Sequence, residues 1–181
     1  PFMTYGSQSM TPPLKRVVMR TPGDSLRQAK AGDWHYGAGF DGNRAIEQFG
    51  VFADLVSASG AEIIWIEDSD DGLADAMFTH DPSLVTDKGA VILRMGKPGR
   101  MAEPELHAAA YKAAGIPILG QIDAPGVVEG GDCIWVDKTT LAVGRGVRTN
   151  QAGIAQLGEI LAPLGVSVPV SYTHLTLPTN R

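Results

Sequence analysis

Three segments of the chain have apolar residues at helical spacing, and each is followed by a glycine and a short apolar run. The first segment spans residues 44–59, the second spans 103–114, and the third begins after Asn150. Apolar positions that recur every three or four residues predict a helix, and a glycine just beyond them is typical of a helix C-terminus. The apolar runs that follow predict buried strands. These runs are residues 61–66, 116–119 and 166–168.

The glycines that end these helices, Gly60, Gly115 and Gly165, are almost evenly spaced. Between and before them the pattern predicts further short strands, one of them closing at Phe78. The others are residues 14–19, 90–94, 133–136 and 140–143. A strand–strand–helix–strand unit at a near-constant period indicates a repeat architecture. An ordinary α/β sandwich would give a similar pattern, so both α/β arrangements stay open at this point.

Composition and charge exclude several classes of protein. The 181 residues include 15 Lys and Arg against 20 Asp and Glu, a net charge of −5, which argues against a nucleic-acid-binding protein. No apolar run has the length of a membrane span. Cys133 is the single cysteine, so no internal disulfide is expected, and a cytoplasmic protein is favoured.

The two ends of the chain differ from its middle. The chain begins at Pro1, and we expect a fragment whose natural start lies near Met10. Residues 170–181 contain three Thr and no Gly, Ala, Asp or Glu, and they resemble the translation of a sequencing adapter. We therefore predict a partial enzyme domain over residues 1–169 and a non-native tail over residues 170–181, with a natural strand-like tail as the alternative.

Charged residues beside glycine-rich turns supply the candidate binding chemistry. In Glu129-Gly130-Gly131-Asp132, the glycines allow a carboxylate to lie where the backbone turns tightly and a ligand approaches. Arg148, in Arg148-Thr149-Asn150, adds a planar cationic fork. Asp75 and Asp81 could bind a cationic ligand group, but capping and turn formation are the commoner use of an aspartate at such a position.

The order of these motifs resembles the guanidine-modifying superfamily of dimethylarginine dimethylaminohydrolases, arginine deiminases and amidinotransferases, most of all its dimethylarginine dimethylaminohydrolase-like branch. The resemblance covers residues 14–168. The motifs are Arg20-Thr21-Pro22 with Ser25-Leu26, Asp75 through Asp81, Arg100, Glu129 through Asp132, and Arg148 through Asn150. The resemblance implies an α/β propeller of five ββαβ units around a central site, of which this chain would hold about three.

The resemblance also implies roles for six residues. Asp81 and Glu129 would hold the substrate guanidinium as catalytic residues, and Asp75 would face the α-amino end. Arg100 and Arg148 would bind the α-carboxylate. His80 would be a substrate-binding residue beside Asp81, where better-known members carry an acidic or other residue. A guanidinium fork matches carboxylates in bidentate fashion, in agreement with these roles.

The implied reaction is hydrolysis of the guanidino group of arginine or methylated arginine through a covalent cysteine intermediate, with a histidine as general acid and base and no metal or organic cofactor. Cys133 does not align with the nucleophile, and the histidine is expected beyond the third helix. We therefore expect this fragment to be inactive. The alternatives are an amidinotransferase or arginine deiminase, and a non-catalytic arginine-binding domain. The expected partner is a small guanidino molecule rather than a nucleic acid or membrane, and a homodimer is left open.

Overall fold

The computed structural model describes residues 5–6, 8–66 and 72–172, which form a mixed α/β fold. The elements in chain order are β1 (Arg16–Met19), α1 (Asp24–Arg27), α2 (Ala31–Trp34), α3 (Gly42–Ala58), β2 (Glu62–Trp65), β3 (Ser83–Thr86), β4 (Gly89–Ile92), α4 (Glu103–Ala113), β5 (Ile118–Gln121), β6 (Cys133–Asp137), β7 (Thr140–Arg145), α5 (Gln151–Leu161) and β8 (Val170–Tyr172). Short 3-10 turns cover Pro98–Arg100, Gly130–Asp132 and Ala162–Leu164.

The strands form three small sheets. β1 pairs with β2 in parallel. In the second sheet β3 and β4 are antiparallel and β4 and β5 are parallel, and the third sheet repeats this order with β6, β7 and β8. The described residues therefore form three units. The first is a shorter βαβ unit from β1 to β2, and the second (β3 to β5) and third (β6 to β8) are ββαβ units. In the part of the chain that the structure describes, these sheets do not close into a barrel or propeller.

The predicted helix ends are confirmed. Gly60, Gly115 and Gly165 have φ angles of 85°, 70° and 71°, a left-handed conformation that glycine adopts without a steric penalty. The start of α5 is also confirmed, because the Asn150 side chain accepts a hydrogen bond from the Gly153 N–H at 2.8 Å.

Two predicted strands lie elsewhere in the structure. Residues near Phe78 form turns rather than a strand, and the strand begins at Ser83, after Pro82. The run at residues 166–168 contributes only an isolated bridge at Ser167, and the continuous strand is β8. Pro169, which has no N–H to donate, separates the two. The predicted tail thus begins within a paired strand, and residues 173–181 lie outside the described residues.

One hydrophobic core joins the two ββαβ units. Leu93 of the second unit and Leu141 of the third are both fully buried, and α5 closes the core from one side. The other fully buried apolar side chains of this core are Val91, Val128, Val143, Leu157 and Leu161. By contrast, α3 buries only Gly42. The described helices include none that is long and apolar enough to cross a membrane.

A buried polar network fixes α4 against β3. The Ser83 hydroxyl lies 2.9 Å from His107 Nδ1 and 2.7 Å from the Tyr111 hydroxyl, and all three side chains are buried. Burial lowers the pKa of His107 to about 4, and the positive charges of Arg100 and Arg20 act in the same direction. The imidazole is therefore neutral in the folded chain at neutral pH.

This buried imidazole predicts a loss of stability in mild acid. Between the ordinary histidine pKa near 6.5 and the folded value of about 4, the unfolded chain binds the proton and the folded chain does not. The free energy of unfolding should therefore fall as the pH drops through this window, by on the order of 3 kcal/mol from His107. Urea unfolding measured from pH 7.5 to pH 4 checks this expectation.

The matched variants for this experiment are His107→Gln and His35→Asn, because His35 is exposed. The first should lose most of the acid-dependent slope above pH 4, and the second should keep it. An equal slope in wild type and His107→Gln would show that the acid sensitivity comes from other groups.

Candidate functional site

A pocket of about 580 Å³ lies where the loop of residues 75–81 meets the turn that precedes α4. Its volume is that of a small-molecule site. The pocket combines aromatic walls with groups of both charges, and five of the six predicted site residues line it. The lining residues are Trp34, Tyr36, Asp75, Met77, Phe78, Thr79, His80, Asp81, Arg100 and Arg148. The sixth predicted residue, Glu129, contacts Arg148.

The paired glycines of the motif at residues 129–132 allow two loops to touch. The Gly130 N–H donates to the Asp81 carbonyl oxygen at 2.9 Å, and the Gly131 N–H donates to Asp81 Oδ1 at 3.1 Å. A Cβ atom on Gly130 would overlap the His80 carbonyl oxygen. The second and third units therefore meet at Asp81, and the absent side chains make this approach sterically allowed.

Arg100 is buried and holds this loop to α4. Its Nε donates to both Glu103 oxygens at 2.9 and 3.0 Å, and its Nη1 donates to Asp81 Oδ2 at 2.7 Å. Its Nη2 donates to Glu103 Oε2 and to the Phe78 carbonyl. Burial alone would lower the pKa of Arg100, but the hydrogen bonds to Glu103 and Asp81 raise it. The guanidinium is thus permanently charged and fixes the Asp81 carboxylate at the pocket wall.

Glu129 has one buried oxygen without a hydrogen-bond donor among the described residues. Its Oε1 accepts from the Gly96 N–H at 3.0 Å. Its Oε2 lies 3.0 Å from Arg148 Nη1, within ion-pair distance, but the N–H is not directed for a hydrogen bond. The Glu129 side chain is 1% exposed, whereas that of Arg148 is 53% exposed. A buried carboxylate oxygen is therefore paired with a cation that is half exposed.

Residues 149 and 150 fix the loop that carries Glu129. The Thr149 hydroxyl donates to Asp132 Oδ2 at 2.6 Å and accepts from the Glu129 N–H at 3.2 Å. Asn150, besides capping α5, accepts from the Val127 N–H at 3.1 Å. Asp132 therefore supports this turn through its contact with Thr149.

The two arginines occupy matching places in the repeat. Arg100 lies three residues before α4 (103 − 100), and Arg148 lies three residues before α5 (151 − 148). Each contacts the carboxylate that precedes the first strand of its own unit, Asp81 or Glu129. Arg100 has a second acid, Glu103, and is buried; the position equivalent to Glu103 is the first residue of α5, Gln151. The ion pair between Arg148 and Glu129 is therefore the one without a second acid, and its arginine is half exposed.

Asp75 lies at the other side of the pocket and already has two donors. The Tyr36 hydroxyl donates to Oδ1 at 2.5 Å, and Lys97 Nζ donates to Oδ2 at 2.6 Å. Burial and the hydrogen bond to Asp75 raise the pKa of Tyr36, so the phenol stays protonated. Sequence reasoning missed Tyr36, Lys97 and Trp34, because they are distant along the chain and no local motif connects them with Asp75.

Cys133 and His107 are not among the residues that line the pocket. Cys133 is buried with its Sγ 3.8 Å from the Glu129 carbonyl oxygen, and burial raises its pKa to about 12. It is therefore a thiol rather than a nucleophilic thiolate at neutral pH. The described residues include no cluster of three or more His, Cys, Asp or Glu side chains that could hold a metal ion.

Sequence comparison places these motifs among known enzymes. A family model described as arginine deiminase matches residues 70–164. The N(G),N(G)-dimethylarginine dimethylaminohydrolase of Streptomyces coelicolor is 32% identical, covering 88% of this chain and 61% of the relative. The enzyme of the same name from Pseudomonas aeruginosa is 30% identical over 84% of this chain and 59% of the relative. The chain thus spans about three fifths of the length of these relatives.

Solved structures agree with the sequence matches. The Pseudomonas aeruginosa dimethylarginine dimethylaminohydrolase, as a mutant in complex with citrulline, superposes with a TM-score of 0.74 at 28% identity, covering 91% of this chain and 63% of the enzyme. The N-terminal domain of a cyanobacterial arginine dihydrolase bound to its substrate gives a TM-score of 0.72 at 19% identity, covering 87% of this chain and 57% of the domain. The second likeness concerns the fold alone.

The contrast between the two arginines predicts unequal costs of substitution. Arg100→Gln leaves the buried acids Glu103 and Asp81 without their cation and should lower the free energy of unfolding by about 3–5 kcal/mol. Arg148→Gln removes a half-exposed cation from the buried Glu129 carboxylate and should cost less, about 1–3 kcal/mol. Urea unfolding at pH 7 compares them, and equal losses would contradict the buried role of Arg100.

The glycine contact gives a second pair of matched variants. Gly130→Ala must displace the His80 carbonyl or the turn itself, and it should destabilise the fold by about 1–3 kcal/mol. Gly158→Ala lies within α5, where a Cβ meets nothing within 4 Å, and it should stabilise the fold by up to about 1 kcal/mol. Thermal and urea unfolding measure both; a neutral Gly130→Ala would show that the loops have room to separate.

Proposed function

This chain belongs to the arginine deiminase family, and from that membership we propose that it supplies the guanidinium-binding part of a hydrolase in the guanidine-modifying pentein superfamily. The proposed substrates are arginine or methylated arginine, and the reaction needs no metal or organic cofactor. The relatives that support the substrate class are named dimethylarginine dimethylaminohydrolases and arginine deiminases.

The observation that carries this proposal is the buried carboxylate of Glu129. Its Oε2 has no hydrogen-bond donor among the described residues, and the group that approaches it is itself a guanidinium, that of Arg148. A buried acceptor without a donor is costly, and a ligand that supplies planar N–H groups satisfies it. We propose that the substrate guanidinium binds Glu129 and Asp81, while Arg148 turns to the substrate carboxylate.

Asp81 is prepared for this role by its own contacts. Arg100 holds Oδ2 and the Gly131 N–H holds Oδ1, so the carboxylate keeps one orientation at the pocket wall. A carboxylate that is fixed before binding loses little side-chain entropy when it receives a ligand. Four of the five N–H groups of Arg100 already have acceptors, so its direct contribution to a substrate carboxylate would come from the remaining Nη1 hydrogen. His80 lines the same wall and would contact the substrate.

The proposed chemistry proceeds in two steps. A cysteine thiolate attacks the central guanidinium carbon, a histidine donates a proton to the departing amine, and a covalent amidino-enzyme forms. Water, deprotonated by the same histidine, then attacks that carbon and releases the ureido product with the thiolate restored. Asp81 and Glu129 would stabilise the positive charge and orient the carbon. Cys133 is unsuited as the nucleophile because its thiol is buried and its pKa is raised to about 12.

The complete enzyme is proposed to close around this site as five ββαβ units, of which the described residues form two complete units and a shorter one. The proposed cysteine and histidine would come from the remaining part of the parent protein. The non-native character of residues 170–181, the cytoplasmic location and a homodimer stay predictions.

Three alternatives accompany this proposal. The first is an arginine deiminase acting on free arginine, the activity for which the matching family model is named, and the second is an amidinotransferase, in which an amine replaces water. A non-catalytic arginine-binding domain is the third candidate, because the pocket has binding groups of both charges without Cys133 among its lining residues.

Product analysis of the protein expressed from its complete coding sequence tests this proposal. Dimethylarginine should give citrulline and dimethylamine, arginine should give citrulline and ammonia, and a transferase would instead need an amine acceptor. Glu129→Gln preserves shape but removes the charge, and it should lower kcat/KM by about a hundredfold or more, since a hydrogen bond to a charged group in a buried site is lost.

Asp54→Asn is the matched control, because Asp54 lies exposed on α3, outside the residues that line the pocket. Its kcat/KM should equal that of wild type. If neither citrulline nor a new guanidino compound forms, calorimetric titration with arginine decides for or against the binding-domain alternative. Wild-type activity in a folded Glu129→Gln enzyme would overturn the role of Glu129.

A further inference from the structure

Asp75, at one side of the pocket, is paired with a cation of the protein itself, Lys97, which is not among the lining residues. Lys97 Nζ donates to Asp75 Oδ2 at 2.6 Å and to the Trp34 carbonyl oxygen at 3.2 Å. The same ammonium lies 4.5 Å from the centroid of the Trp34 ring, a cation–π distance. The Lys97 side chain is 25% exposed, and the Asp75 side chain is 8% exposed. Lys97 is therefore held against two residues that line the pocket, Asp75 and Trp34, and is not a solvated surface lysine.

The surroundings of Lys97 keep this arrangement in place. Trp34 packs over Gly99, where an added Cβ would lie 3.1 Å from the indole ring. Tyr36, whose ring lies 4.3 Å from that of Phe40, donates its hydroxyl to the other Asp75 oxygen. The carboxylate thus has a donor on each oxygen, and one of the two donors is an ammonium.

A ligand with an α-ammonium group would bring a second cation to this carboxylate. Arginine and its methylated forms carry such a group beside their carboxylate. Asp75 could still accept a further hydrogen bond, but two monovalent cations on one largely buried carboxylate repel each other where water screens them poorly. A ligand without that ammonium avoids this repulsion and leaves the contact between Lys97 and Asp75 intact.

We propose that Lys97 determines substrate specificity by compensating the negative charge of Asp75, so that the pocket prefers a guanidino carboxylic acid that lacks an α-amino group. This inference rests on the guanidinium site of the proposed function, Glu129 and Asp81, and differs from that proposal in the preferred ligand, which is a guanidino acid in place of arginine. The carboxylate of such a ligand would pair with Arg148, whose half-exposed side chain lines the same pocket. The protein then provides internally the positive charge that an amino-acid substrate would bring.

A pair of ligands that differ only in the α-amino group tests the inference. These are L-arginine and 5-guanidinopentanoate, titrated calorimetrically into the protein expressed from its complete coding sequence. Wild type should bind 5-guanidinopentanoate at least tenfold more tightly than L-arginine. Lys97→Met keeps the aliphatic stem over Trp34 but removes the charge, and it should shift the ratio of the two Kd values at least tenfold towards L-arginine.

Three further variants make the result specific. Lys97→Arg restores a cation and should recover the wild-type preference, and Lys112→Met, which changes an exposed lysine on α4, should leave the ratio unchanged. Glu129→Gln should weaken both ligands alike, which tests the guanidinium site independently of Lys97. If Lys97→Met does not fold, Lys97→Gln takes its place, and the wild-type ratio alone still tests the inference.

Two results would overturn the inference, and they have different causes. If both ligands bind and both depend on Glu129, but wild type favours L-arginine or the ratio is the same in Lys97→Met, then Lys97 does not set specificity and the proposed function stands. If neither ligand binds wild type, the proposed function fails and the specificity inference fails with it.

Discussion

The buried guanidinium of Arg100 is the contact on which the rest of the site depends. It joins the start of α4, through Glu103, to the loop that carries Asp81 and Phe78. A charge so deeply buried is tolerated only when hydrogen-bonded counter-charges surround it, so neither acid can change position independently. Arg100 therefore holds this part of the pocket wall against the start of α4.

The next repeat contains the same arrangement with one acid fewer, and the proposed binding role of Glu129 depends on this difference. Arg148 contacts Glu129 as Arg100 contacts Asp81, but no acid equivalent to Glu103 begins α5. Arg148 is half exposed, and its N–H is not directed at Glu129 Oε2 for a hydrogen bond. Glu129 thus keeps a buried oxygen without a donor among the described residues. The same arrangement in two units thus gives a cluster of one arginine and two acids around Arg100, and a pair of one arginine and one acid at Arg148. An incomplete cluster is what a cationic ligand can complete.

Local chemistry explains what could be predicted from the sequence. The apolar spacing located α3, α4 and α5, and the glycines ended them, because both signals act within a few residues. The ordered acids and arginines located most of the pocket, since they recur with the repeat. The strand at Ser83–Thr86 was missed because its four residues, SLVT, lack a clear alternation and follow a proline. The position of β8 was missed because partners on β7, not local spacing, decide where pairing begins.

The contacts of Asp75 show why motif order alone does not define a ligand. The spacing of Asp75 and Asp81 places both acids at one pocket, but the charge available to a ligand depends on which donors the fold already brings to each. Lys97, 22 positions along the chain, compensates the charge of Asp75, whereas Arg100 is shared between Asp81 and Glu103 and leaves that cluster with one negative charge. The two aspartates therefore differ in how much negative charge their surroundings leave uncompensated. The specificity that we propose for this pocket therefore depends on Lys97 and Arg100 as much as on the two aspartates.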